Sequence, residues 1–566
     1  MKLLFNFKGN YFLVRKEKQA LKKLFYIITF FTFYLGFTQN HFYRPIEYDI
    51  LLSGNFGEIR SSGFHTGIDI KTKGKVGEII RSIDDGYISR IQVSTVGYGK
   101  VIYINHSNGS KSVYGHLQDF SKEIDEQIKY FQYKAETFTL NKFFKENELK
   151  IKGGQIIGYS GNTGTSFGPH LHFEIRTHND IPLNPLNYNY KVADSIRPEV
   201  RKLFAYKEKK GSLFKKRLKI KKINDSIYQT QLNSADTIFF GIETIDKQSF
   251  TYNVNGTYKI LLKEKNNDLI EFKFDSLTFD EKRLFLKHLD FRELIENNSK
   301  IILLNNEIDS DYKFVRRNQS GKFYVKNLET KDITIQLSDL DKNNTYVKIK
   351  MIGDSIEKFG GTKSVEFNKK IRADLSYDLT YNNANVKFKK NTFYRDTTID
   401  FDFKNDTLYL MNPYIPVNKS FSINFPINVN SKKGLYLARS DKNGNSFFSS
   451  SKLKDNFFIS NTKSLGKYFL DYDTIKPIIK KIGKNKTIDK NQKLGYLIND
   501  KETGIKKYKA YINDKWALFE YEPKKNYIQF RPDNFINLKN ENNLLIEIED
   551  MLGNVTIYRE IFYFKN

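Results

Sequence analysis

The sequence predicts a mainly β chain: an antiparallel β-sheet domain with a helical insertion, followed by immunoglobulin-like β-sandwich domains. Short β-branched runs separated by turn residues fill the stretch from Phe42 to His106, which is typical of an antiparallel sheet. Helical spacing replaces this pattern at residues 121–149, and polar strand-like runs continue beyond Asp194. The chain has 566 residues, and because domains of about 100 to 200 residues are usual, we expect several separate cores.

The N-terminal segment, residues 1–39, resembles a secretory signal peptide. Lys22 and Lys23 precede an uncharged apolar run from Leu24 to Phe37, and small residues lead to a cleavage position near Thr38. The run is shorter than the roughly 20 apolar residues that span a bilayer. The sequence therefore predicts an exported protein, either periplasmic, envelope-associated or extracellular, with an uncleaved membrane anchor as the alternative.

The composition excludes several classes of site. The chain has no cysteine, so disulfides, thiolate metal ligands and cysteine nucleophiles are ruled out, and any metal must be bound by imidazole and carboxylate. The formal net charge is +28, but the lysines are spread over the whole chain instead of forming a stripe. We therefore predict no nucleic-acid partner.

The first domain contains a hairpin and an insertion. Runs at Lys100–Asn105 and Lys111–Leu117, separated by a Ser-Asn-Gly turn, predict the hairpin. The insertion at 121–149 is predicted to be helical. Its apolar residues fall on two faces at helical spacing, namely Ile124, Ile128 and Phe131, then Leu140, Phe143 and Phe144.

Two segments of the C-terminal half echo each other. Ile333–Lys350 and Leu545–Phe562 each run from a strand into an Asp, then a turn, then a second strand. This is typical of the final hairpin of an immunoglobulin-like sandwich, with Asp339 and Asp550 at the turns; the alternative is two unrelated hairpins. The predicted boundaries give domains at 40–195, 196–352, 353–473 and 474–566.

A glycine-rich loop from Gly158 leads into the segment His170–Arg176, whose apolar and polar residues alternate as in a half-buried strand. His170 and His172 therefore face the same way, about 7 Å apart. The two histidines could share one ion, or one could bind it while the other acts beside it.

Two further motifs supply candidate ligands. They are His65-Thr-Gly-Ile-Asp69 and Tyr114-Gly-His116-Leu117, each on or beside a predicted strand. Catalytic zinc takes three protein ligands and keeps one position open for water. Five candidates for three places leave two groups for proton transfer and for stabilising an oxyanion, as amide hydrolysis requires. The spacing does not say which two are spare.

These residues resemble the lysostaphin-like (LytM-type) zinc metallopeptidases, which cut the peptide part of peptidoglycan. The resemblance covers about Asn55 to Tyr188 and includes FGEIRSSGFHTGIDI, YGHL, GGQIIGYSGNTGTSFGPHLHFEIR and the trailing Asn-Pro-Leu. It implies that one zinc ion is bound by His65, Asp69 and His172. It also implies that His116 and His170 are the catalytic pair, which assists the water and steadies the oxyanion.

The resemblance predicts a secreted zinc endopeptidase that hydrolyses amide bonds in the cross-links or stems of peptidoglycan. One alternative is a catalytically inactive wall-binding or hydrolase-activating protein whose site the insertion occludes. Another is a metallopeptidase that acts on protein substrates. The insertion either narrows the substrate groove or is an extra packed helix pair, and the C-terminal β domains are candidates for binding the wall or other envelope proteins.

Four other histidines, His41, His106, His178 and His288, fall outside these motifs. His106 and His178 lie in predicted turns or loops, His41 follows the predicted cleavage position, and none of these three shares a strand face with a second donor in the sequence. All three are predicted to be solvated.

Overall fold

The structure is a computed structural model that describes residues 42–60, 63–188, 190, 192, 194–209, 212–305, 312–354, 367–429, 431–483 and 486–565. The predicted signal segment, residues 1–39, lies outside the described residues. Among the described helices, none is long and apolar enough to cross a membrane. The described part of the chain is mainly β-strand, which confirms the predicted fold class.

An antiparallel sheet forms the centre of the first domain. Its strand order is β1-β4-β13-β8-β7-β6-β10, with β11 paired to β6 and β14 to β13; a smaller sheet has the order β5-β12-β9, and β2 pairs with β3. The strands are β1 (Leu52–Gly54), β2 (Ile59–Arg60), β3 (Gly63–Phe64), β4 (Ile68–Lys71), β5 (Ile79–Arg81), β6 (Gly86–Val93), β7 (Lys100–His106), β8 (Lys111–Leu117), β9 (Asp119–Phe120), β10 (Leu140–Phe143), β11 (Lys150–Ile151), β12 (Ile156–Tyr159), β13 (His170–Arg176) and β14 (Pro182–Leu183).

Strand β13 forms where the sequence predicts it, but it is not half-buried. It lies between β4 and β8, and its apolar face, formed by Leu171, Phe173 and Ile175, is fully buried. The polar face is also buried, because Glu174 and Arg176 form an ion pair there at 2.6 Å. The prediction of a solvated second face was wrong, since an alternating pattern does not reveal that the polar residues satisfy one another.

The insertion is helical only in its first half. Lys122–Ala135 forms helix α1 and buries Ile124 and Ile128, as predicted. Leu140–Phe143 is instead the edge strand β10, which pairs antiparallel with β6. The prediction of a second helical face there was wrong: the neighbouring threonines favour extended backbone, and the open edge of β6 supplies the hydrogen-bond partners.

The next part of the chain builds two more sheets and two short helices. The sheet orders are β16-β15-β19-β20, with β23 on β19, and β17-β18-β26-β25-β21-β22-β24. The elements are β15 (Glu199–Lys209), β16 (Ser212–Arg217), β17 (Lys221–Asn224), β18 (Ile227–Asn233), β19 (Phe239–Lys247), β20 (Val254–Asn255), β21 (Lys259–Glu264), β22 (Asn267–Lys273), α2 (Phe279–Leu284), α3 (Phe291–Asn297), β23 (Ile302–Leu304), β24 (Val315–Arg317), β25 (Thr330–Ser338) and β26 (Asn344–Ile352).

Residues 367–473 form two sheets around one apolar core, the layer arrangement of a β-sandwich. The sheet orders are β27-β30-β31-β37-β33-β34 and β28-β29-β32-β36-β35. The strands are β27 (Lys369–Ile371), β28 (Tyr377–Tyr381), β29 (Ala384–Phe388), β30 (Thr397–Lys404), β31 (Thr407–Met411), β32 (Phe421–Pro426), β33 (Leu435–Ser440), β34 (Ser446–Phe448), β35 (Ser451–Lys454), β36 (Phe457–Thr462) and β37 (Gly466–Tyr472).

The last part of the chain repeats this arrangement around a second core, which both of its sheets share. The orders are β38-β40-β44-β43 and β39-β46-β45-β41-β42. The strands are β38 (Ile478–Ile482), β39 (Thr487–Asp489), β40 (Leu494–Asn499), β41 (Ile505–Ile512), β42 (Lys515–Trp516), β43 (Phe519–Glu522), β44 (Tyr527–Phe530), β45 (Glu541–Asp550) and β46 (Val555–Lys565). Single 3₁₀ turns lie at Pro185–Asn187, Phe285–His288 and Pro523–Lys525.

The two echoing hairpins are present in the structure. Strands β25 and β26 pair antiparallel across the turn at Asp339, and β45 and β46 pair antiparallel across the turn at Asp550. The domain boundaries and the immunoglobulin-like topology stay predictions.

The C-terminal sandwich contacts helix α1 of the insertion. The Tyr133 ring stacks on Phe535 at 4.7 Å between centroids and meets Trp516 edge-on at 5.1 Å. The Tyr133 hydroxyl donates a hydrogen bond to Asp533 at 2.8 Å. The insertion therefore anchors the last sandwich to the first domain.

A buried ion pair strengthens the same interface. Lys100 Nζ lies 2.6 Å from Glu520 Oε1, and Arg531 pairs with Asp119 at 3.1 Å. Burial opposes ionisation of Glu520, but the charges of Lys100 and Arg531 lower its pKa to about 2. Glu520 is therefore charged at neutral pH and is the counter-ion that Lys100 needs.

Replacing Glu520 by Gln should destabilise the C-terminal sandwich by about 2 kcal/mol, because the buried Lys100 ammonium loses its nearest counter-charge and the remaining carboxylate, Asp119, is 3.5 Å away. The single tryptophan, Trp516, lies in this unit, so its fluorescence during denaturant unfolding reports the change. Glu136→Gln is the matched control at the same interface, since its contact with Lys509 is long, at 3.9 Å, and exposed. Equal unfolding midpoints for the two variants would contradict a stabilising role for the buried pair.

Candidate active site

The five predicted site residues lie on neighbouring strands at the centre of the first sheet. Asp69 is on β4, His116 on β8, and His170 and His172 on β13, while His65 precedes β4. Asp69 and His172 are directly opposite in the strand register, and such pairs have Cβ atoms about 4.5–5.5 Å apart. Antiparallel pairing thus brings together motifs that are far apart in the sequence.

Three of these residues form a compact group of donor atoms. His65 Nε2 lies 3.1 Å from Asp69 Oδ1, and His172 Nδ1 lies 3.0 Å from each of those two atoms. All three side chains are buried. Ligands about 2.0–2.1 Å from a tetrahedral zinc ion are about 3.3 Å apart, so the group fits zinc after each separation widens by a few tenths of an ångström.

A hydrogen bond sets the orientation of the His65 ring. Its Nδ1–H donates to the Asn55 carbonyl oxygen at 2.9 Å, which leaves the lone pair on Nε2. Burial lowers the pKa of His65 to about 4, against the opposing charge of Asp69. The ring is therefore neutral at physiological pH, as a metal ligand must be.

The His172 ring has the opposite orientation. Its Nε2–H donates to Glu174 Oε1 at 2.8 Å, so Nδ1 faces His65 and Asp69. Burial opposes a charge on the ring, but hydrogen bonds to Asp69 and Glu174 outweigh it and raise the pKa of His172. A metal ion would therefore compete with a proton for Nδ1.

Glu174 is fully buried and holds His172 in place through a wider network. Oε1 also accepts hydrogen bonds from the Tyr98 hydroxyl at 2.5 Å and the Thr66 hydroxyl at 2.8 Å. Oε2 accepts from Arg176 Nε at 2.6 Å. Burial opposes its charge, but the Arg176 guanidinium and the bond from His172 lower the pKa of Glu174, so it stays ionised. Such a carboxylate fixes the tautomer of a ligating histidine and raises its basicity.

Asp69 divides its two oxygens between separate partners. Oδ1 faces the histidines, whereas Oδ2 accepts a hydrogen bond from Arg60 at 2.5 Å. Burial opposes its charge, but the surrounding His65, His170 and His172 hold the pKa of Asp69 well below its usual value. The group therefore keeps a charged carboxylate oxygen directed at His65 Nε2 and His172 Nδ1.

His116 lies beside this group in a strained backbone conformation. Its φ of 60° is in the left-handed region, which costs a non-glycine residue about 1–2 kcal/mol. The register of β7 and β8 shifts next to it, and its amide donates to the Tyr98 carbonyl at 2.8 Å. Strain of this kind is concentrated at functional sites.

The His116 side chain has one free ring nitrogen. Nδ1–H donates to the Thr163 carbonyl at 2.8 Å, which leaves the lone pair on Nε2. Burial and the neighbouring His172 and His170 lower the pKa of His116 to about 3. The ring is therefore neutral near pH 7 and can accept a proton at Nε2.

His170 completes the group. Its ring meets that of His116 edge-on at 4.9 Å between centroids, and its Nδ1 lies 2.9 Å from the Gly168 carbonyl oxygen. Its Nε2 is buried, has no hydrogen-bond partner in the described part of the chain and lies 3.4 Å from Asp69 Oδ1. An unpartnered buried nitrogen beside the donor group is a position for a ligand or substrate atom.

The part of the chain that carries the site matches a known protein family. Residues 63–137 and 130–185 match the profile of peptidase family M23 in two overlapping segments. The chain contains an M23 peptidase domain.

The M23 domain is similar to curated proteins over part of their length. It is 31% identical over 149 residues to the DD-carboxypeptidase/endopeptidase Mpg of Neisseria meningitidis serogroup B, a match that covers 26% of this chain and 28% of that protein. It is 30% identical over 118 residues to the glycyl-glycine endopeptidase ALE-1 of Staphylococcus capitis, covering 21% and 26%. The chain thus spans only about a quarter of the length of these relatives.

A solved structure also matches the M23 domain. The catalytic domain of the prophage-encoded M23 protein EnpA from Enterococcus faecalis has 25% sequence identity and a TM-score of 0.19. The match covers 25% of this chain and 96% of that one.

A cleft with a volume of about 1000 Å³ opens at the donor group of the M23 domain. Residues of the glycine-rich loop, Thr165 to Pro169, line one side, and Arg60 and Lys282 line another. Among the described residues that line the cleft, none belongs to the insertion at 121–149. Lys282 belongs to helix α2, which follows the M23 domain in the chain, so this helix borders the cleft. The insertion does not narrow the cleft.

Sequence reasoning missed residues that orient the five site side chains. Asn55, Tyr98, Thr163 and Arg60 contact these side chains from loops or other strands, and no local pattern identifies them. Glu174 was recognisable in part, because it lies two positions after His172 on the same face of β13.

Of the three histidines predicted to be solvated, His41 lies outside the described residues, and the prediction for one of the other two was wrong. His106 is buried, with its ring nitrogens 3.0 Å from the Asp85 carbonyl oxygen and 2.7 Å from Ser112 Oγ. It ends β7 opposite Gly86, where a turn and a strand supply both partners. His178 is exposed, as predicted.

Replacing Glu174 by Gln should weaken zinc binding by about 10–100-fold, because a neutral amide no longer fixes the tautomer of His172. Tyr98→Phe, which removes only one of the hydrogen bonds to Glu174, should have a smaller effect. Competition with a chromophoric chelator measures both affinities.

The control for this experiment is Glu146→Gln, which removes an exposed carboxylate from the same domain. Circular dichroism establishes that each variant is folded. Zinc affinity in folded Glu174→Gln equal to that of Glu146→Gln would contradict the role assigned to Glu174.

Proposed function

We propose that the protein is an exported zinc endopeptidase that hydrolyses amide bonds in the peptide cross-links or stems of peptidoglycan. The observation that carries this proposal is the group of His65 Nε2, Asp69 Oδ1 and His172 Nδ1 at the base of an open cleft in an M23 domain. The proposal that the protein is exported rests on the N-terminal sequence, residues 1–39. The relatives named as endopeptidases support the reaction class.

His65, Asp69 and His172 would bind the zinc ion. Two imidazole nitrogens and one carboxylate oxygen are usual zinc ligands, and three protein ligands leave a position open, as in catalytic sites. When bound, zinc supplies a Lewis acid for the scissile carbonyl and lowers the pKa of a coordinated water.

His116 and His170 lie beside the open side of this group and would act on the substrate. His116 Nε2 accepts a proton from the attacking water, because Nδ1 is already a donor to Thr163. Among the described residues, none forms a hydrogen bond with His170 Nε2, which lies 3.4 Å from Asp69 Oδ1. When that nitrogen carries a proton, it can donate to the oxyanion of the tetrahedral intermediate.

The cleft suits an extended, partly charged peptide. Its volume of about 1000 Å³ exceeds what one amino acid fills, and Arg60, Lys282 and Glu58 place charges of both signs along it. The glycine-rich loop on its edge is held by the C-terminal sandwich, since Lys524 Nζ donates to the carbonyl oxygens of Asn162 and Ser166. We call the β-rich parts of the chain after Asp194 the accessory units. Through Lys524 and Lys282 they contribute to the shape of the cleft.

The position of the insertion bears on the alternative that the protein is a catalytically inactive wall-binding or hydrolase-activating protein. That alternative needs the insertion to occlude the site, whereas α1 packs against the C-terminal sandwich and β10 lies at the far edge of the sheet. A protein substrate instead of peptidoglycan stays an alternative, because an extended peptide of either origin has the same backbone.

The proposal predicts different effects for two histidines that are two residues apart. His172→Ala should lose zinc and activity together, because it removes a ligand. His170→Ala should keep zinc close to the wild-type stoichiometry and lose activity by about 100-fold or more, because it removes only a group that acts on the substrate. Metal analysis and digestion of purified sacculi, with fragments identified by mass spectrometry, measure both properties.

His178→Ala is the matched control, since it replaces an exposed histidine just after the same strand. This variant should retain both its zinc and its activity. Chelator should stop the release of peptides by the wild-type protein, and added zinc should restore it. Intact sacculi combined with chelator-sensitive cleavage of a protein substrate would favour the protein-substrate alternative. Equal loss of zinc from His170→Ala and His172→Ala would refute the division of roles.

A further inference from the structure

A second group of carboxylates lies where the M23 domain meets the accessory β-units. Asp194, Asp246 and Asp339 each offer an oxygen, and these three atoms lie within 4.8 Å of one another. They line a cavity of about 280 Å³. Because calcium binds oxygens at about 2.3–2.6 Å, two of its ligands can be at most about 5 Å apart. The spacing therefore allows one ion to contact all three carboxylates.

The cavity also contains polar atoms that lack partners. Asp246 is 7% exposed and Asn255 is 6% exposed. Within the described ranges, no donor forms a hydrogen bond with Oδ1 of either residue. The two residues are directly opposite on β19 and β20, and both line the cavity. Buried oxygens without donors are costly. A cation would satisfy both.

No positive side chain neutralises this group. Among the residues that the structure describes, no lysine or arginine forms an ion pair with Asp194, Asp246 or Asp339. Burial, with the charges of Asp339 and Asp194, raises the pKa of Asp246 to about 9. Burial also raises the pKa of Asp339. Each carboxylate thus disfavours the charge of the others.

We propose that Asp194, Asp246, Asp339 and the Asn255 amide oxygen bind one calcium ion at the junction between the M23 domain and the accessory β-units. All four donors are oxygens, which hard divalent cations prefer to the nitrogen donors that zinc favours. Waters complete the coordination, and Gln248 Nε2, a buried donor without a partner on the cavity wall, can hold one of them.

The C-terminal sandwich contains a related group that is already satisfied. Asp194-Ser-Ile-Arg-Pro recurs as Asp473-Thr-Ile-Lys-Pro, and Asp473 lies with Asp500 and Asp550 in the same kind of cluster. Thr503 Oγ1 donates there to Asp473 Oδ2, as Ser249 Oγ donates to Asp194 Oδ1 in the first cluster. The two clusters differ at Asp500, whose Oδ1 accepts hydrogen bonds from the amides of Thr503 and Gly504. Asp246, the counterpart of Asp500, keeps an unpartnered oxygen, and this difference assigns the ion to the first cluster.

The position of the ion connects it to the zinc group. Asn55 also lines the cavity; its side chain exchanges two hydrogen bonds with Gly256, next to Asn255, at 2.6 and 3.0 Å. The Asn55 carbonyl accepts the hydrogen bond from His65. Calcium would therefore stabilise the junction that holds this carbonyl in place, independently of which bond the enzyme cuts.

The test uses the full chain, saturated with zinc and freed of calcium. Calcium at about 1–5 mM, a range suited to extracellular modules, should raise the melting temperature, and equilibrium dialysis should detect bound calcium. Asp246→Asn should abolish both effects. In calcium-free buffer this variant should melt no lower than the wild type, because a neutral amide replaces a buried carboxyl whose ionisation is already disfavoured by burial and by Asp339 and Asp194, and that separates loss of the site from misfolding.

Asp500→Asn, the counterpart in the C-terminal cluster, is the matched control and should keep the calcium response. His172→Ala should also keep it, which shows that the response does not come from the zinc site. The proposal is overturned if the wild type binds no calcium, or if Asp246→Asn responds as the wild type does. A response to magnesium equal to that to calcium contradicts the choice of ion.

Discussion

The hydrogen bond between His172 and Glu174 is the interaction on which the rest of the site depends. It turns the His172 ring so that Nδ1 faces Asp69, while the bond to Asn55 turns the His65 ring so that Nε2 faces the same point. Glu174 can do this because Arg176 keeps it ionised in a fully buried position. One buried face of strand β13 is thus polar. Its ion pair between Glu174 and Arg176 holds the His172 ring in the orientation that the donor group needs.

The accessory units contact the M23 domain and help to form its cleft. The C-terminal sandwich contacts the glycine-rich loop through Lys524, and α2 of the neighbouring unit places Lys282 at the cleft. Phe64, next to His65, packs among Phe274, Phe285 and Phe314 of that unit. The cleft is therefore assembled from several parts of the chain, although each of the five site residues belongs to the M23 domain.

The sequence was sufficient to predict the strand of His170 and His172, the hairpin before it and the five residues of the group, because alternation and short motifs are local signals. It could not predict that Leu140–Phe143 forms a strand, since its partner β6 lies nearly 50 residues earlier. The roles of Asn55 and Tyr98 depend equally on tertiary contacts. The site roles implied by the family resemblance, and the domain boundaries, stay predictions.

The central claim is that His65, through Nε2, and His172, through Nδ1, bind zinc with Asp69, while His116 and His170 stay outside the coordination shell. A crystal structure of the zinc-loaded protein, with anomalous data collected at the zinc absorption edge, tests this most directly. The account predicts one strong anomalous peak about 2.0–2.1 Å from those three donor atoms, with solvent at the remaining position. A peak coordinated by His116 or His170, or by the other ring nitrogen of His65 or His172, would contradict it.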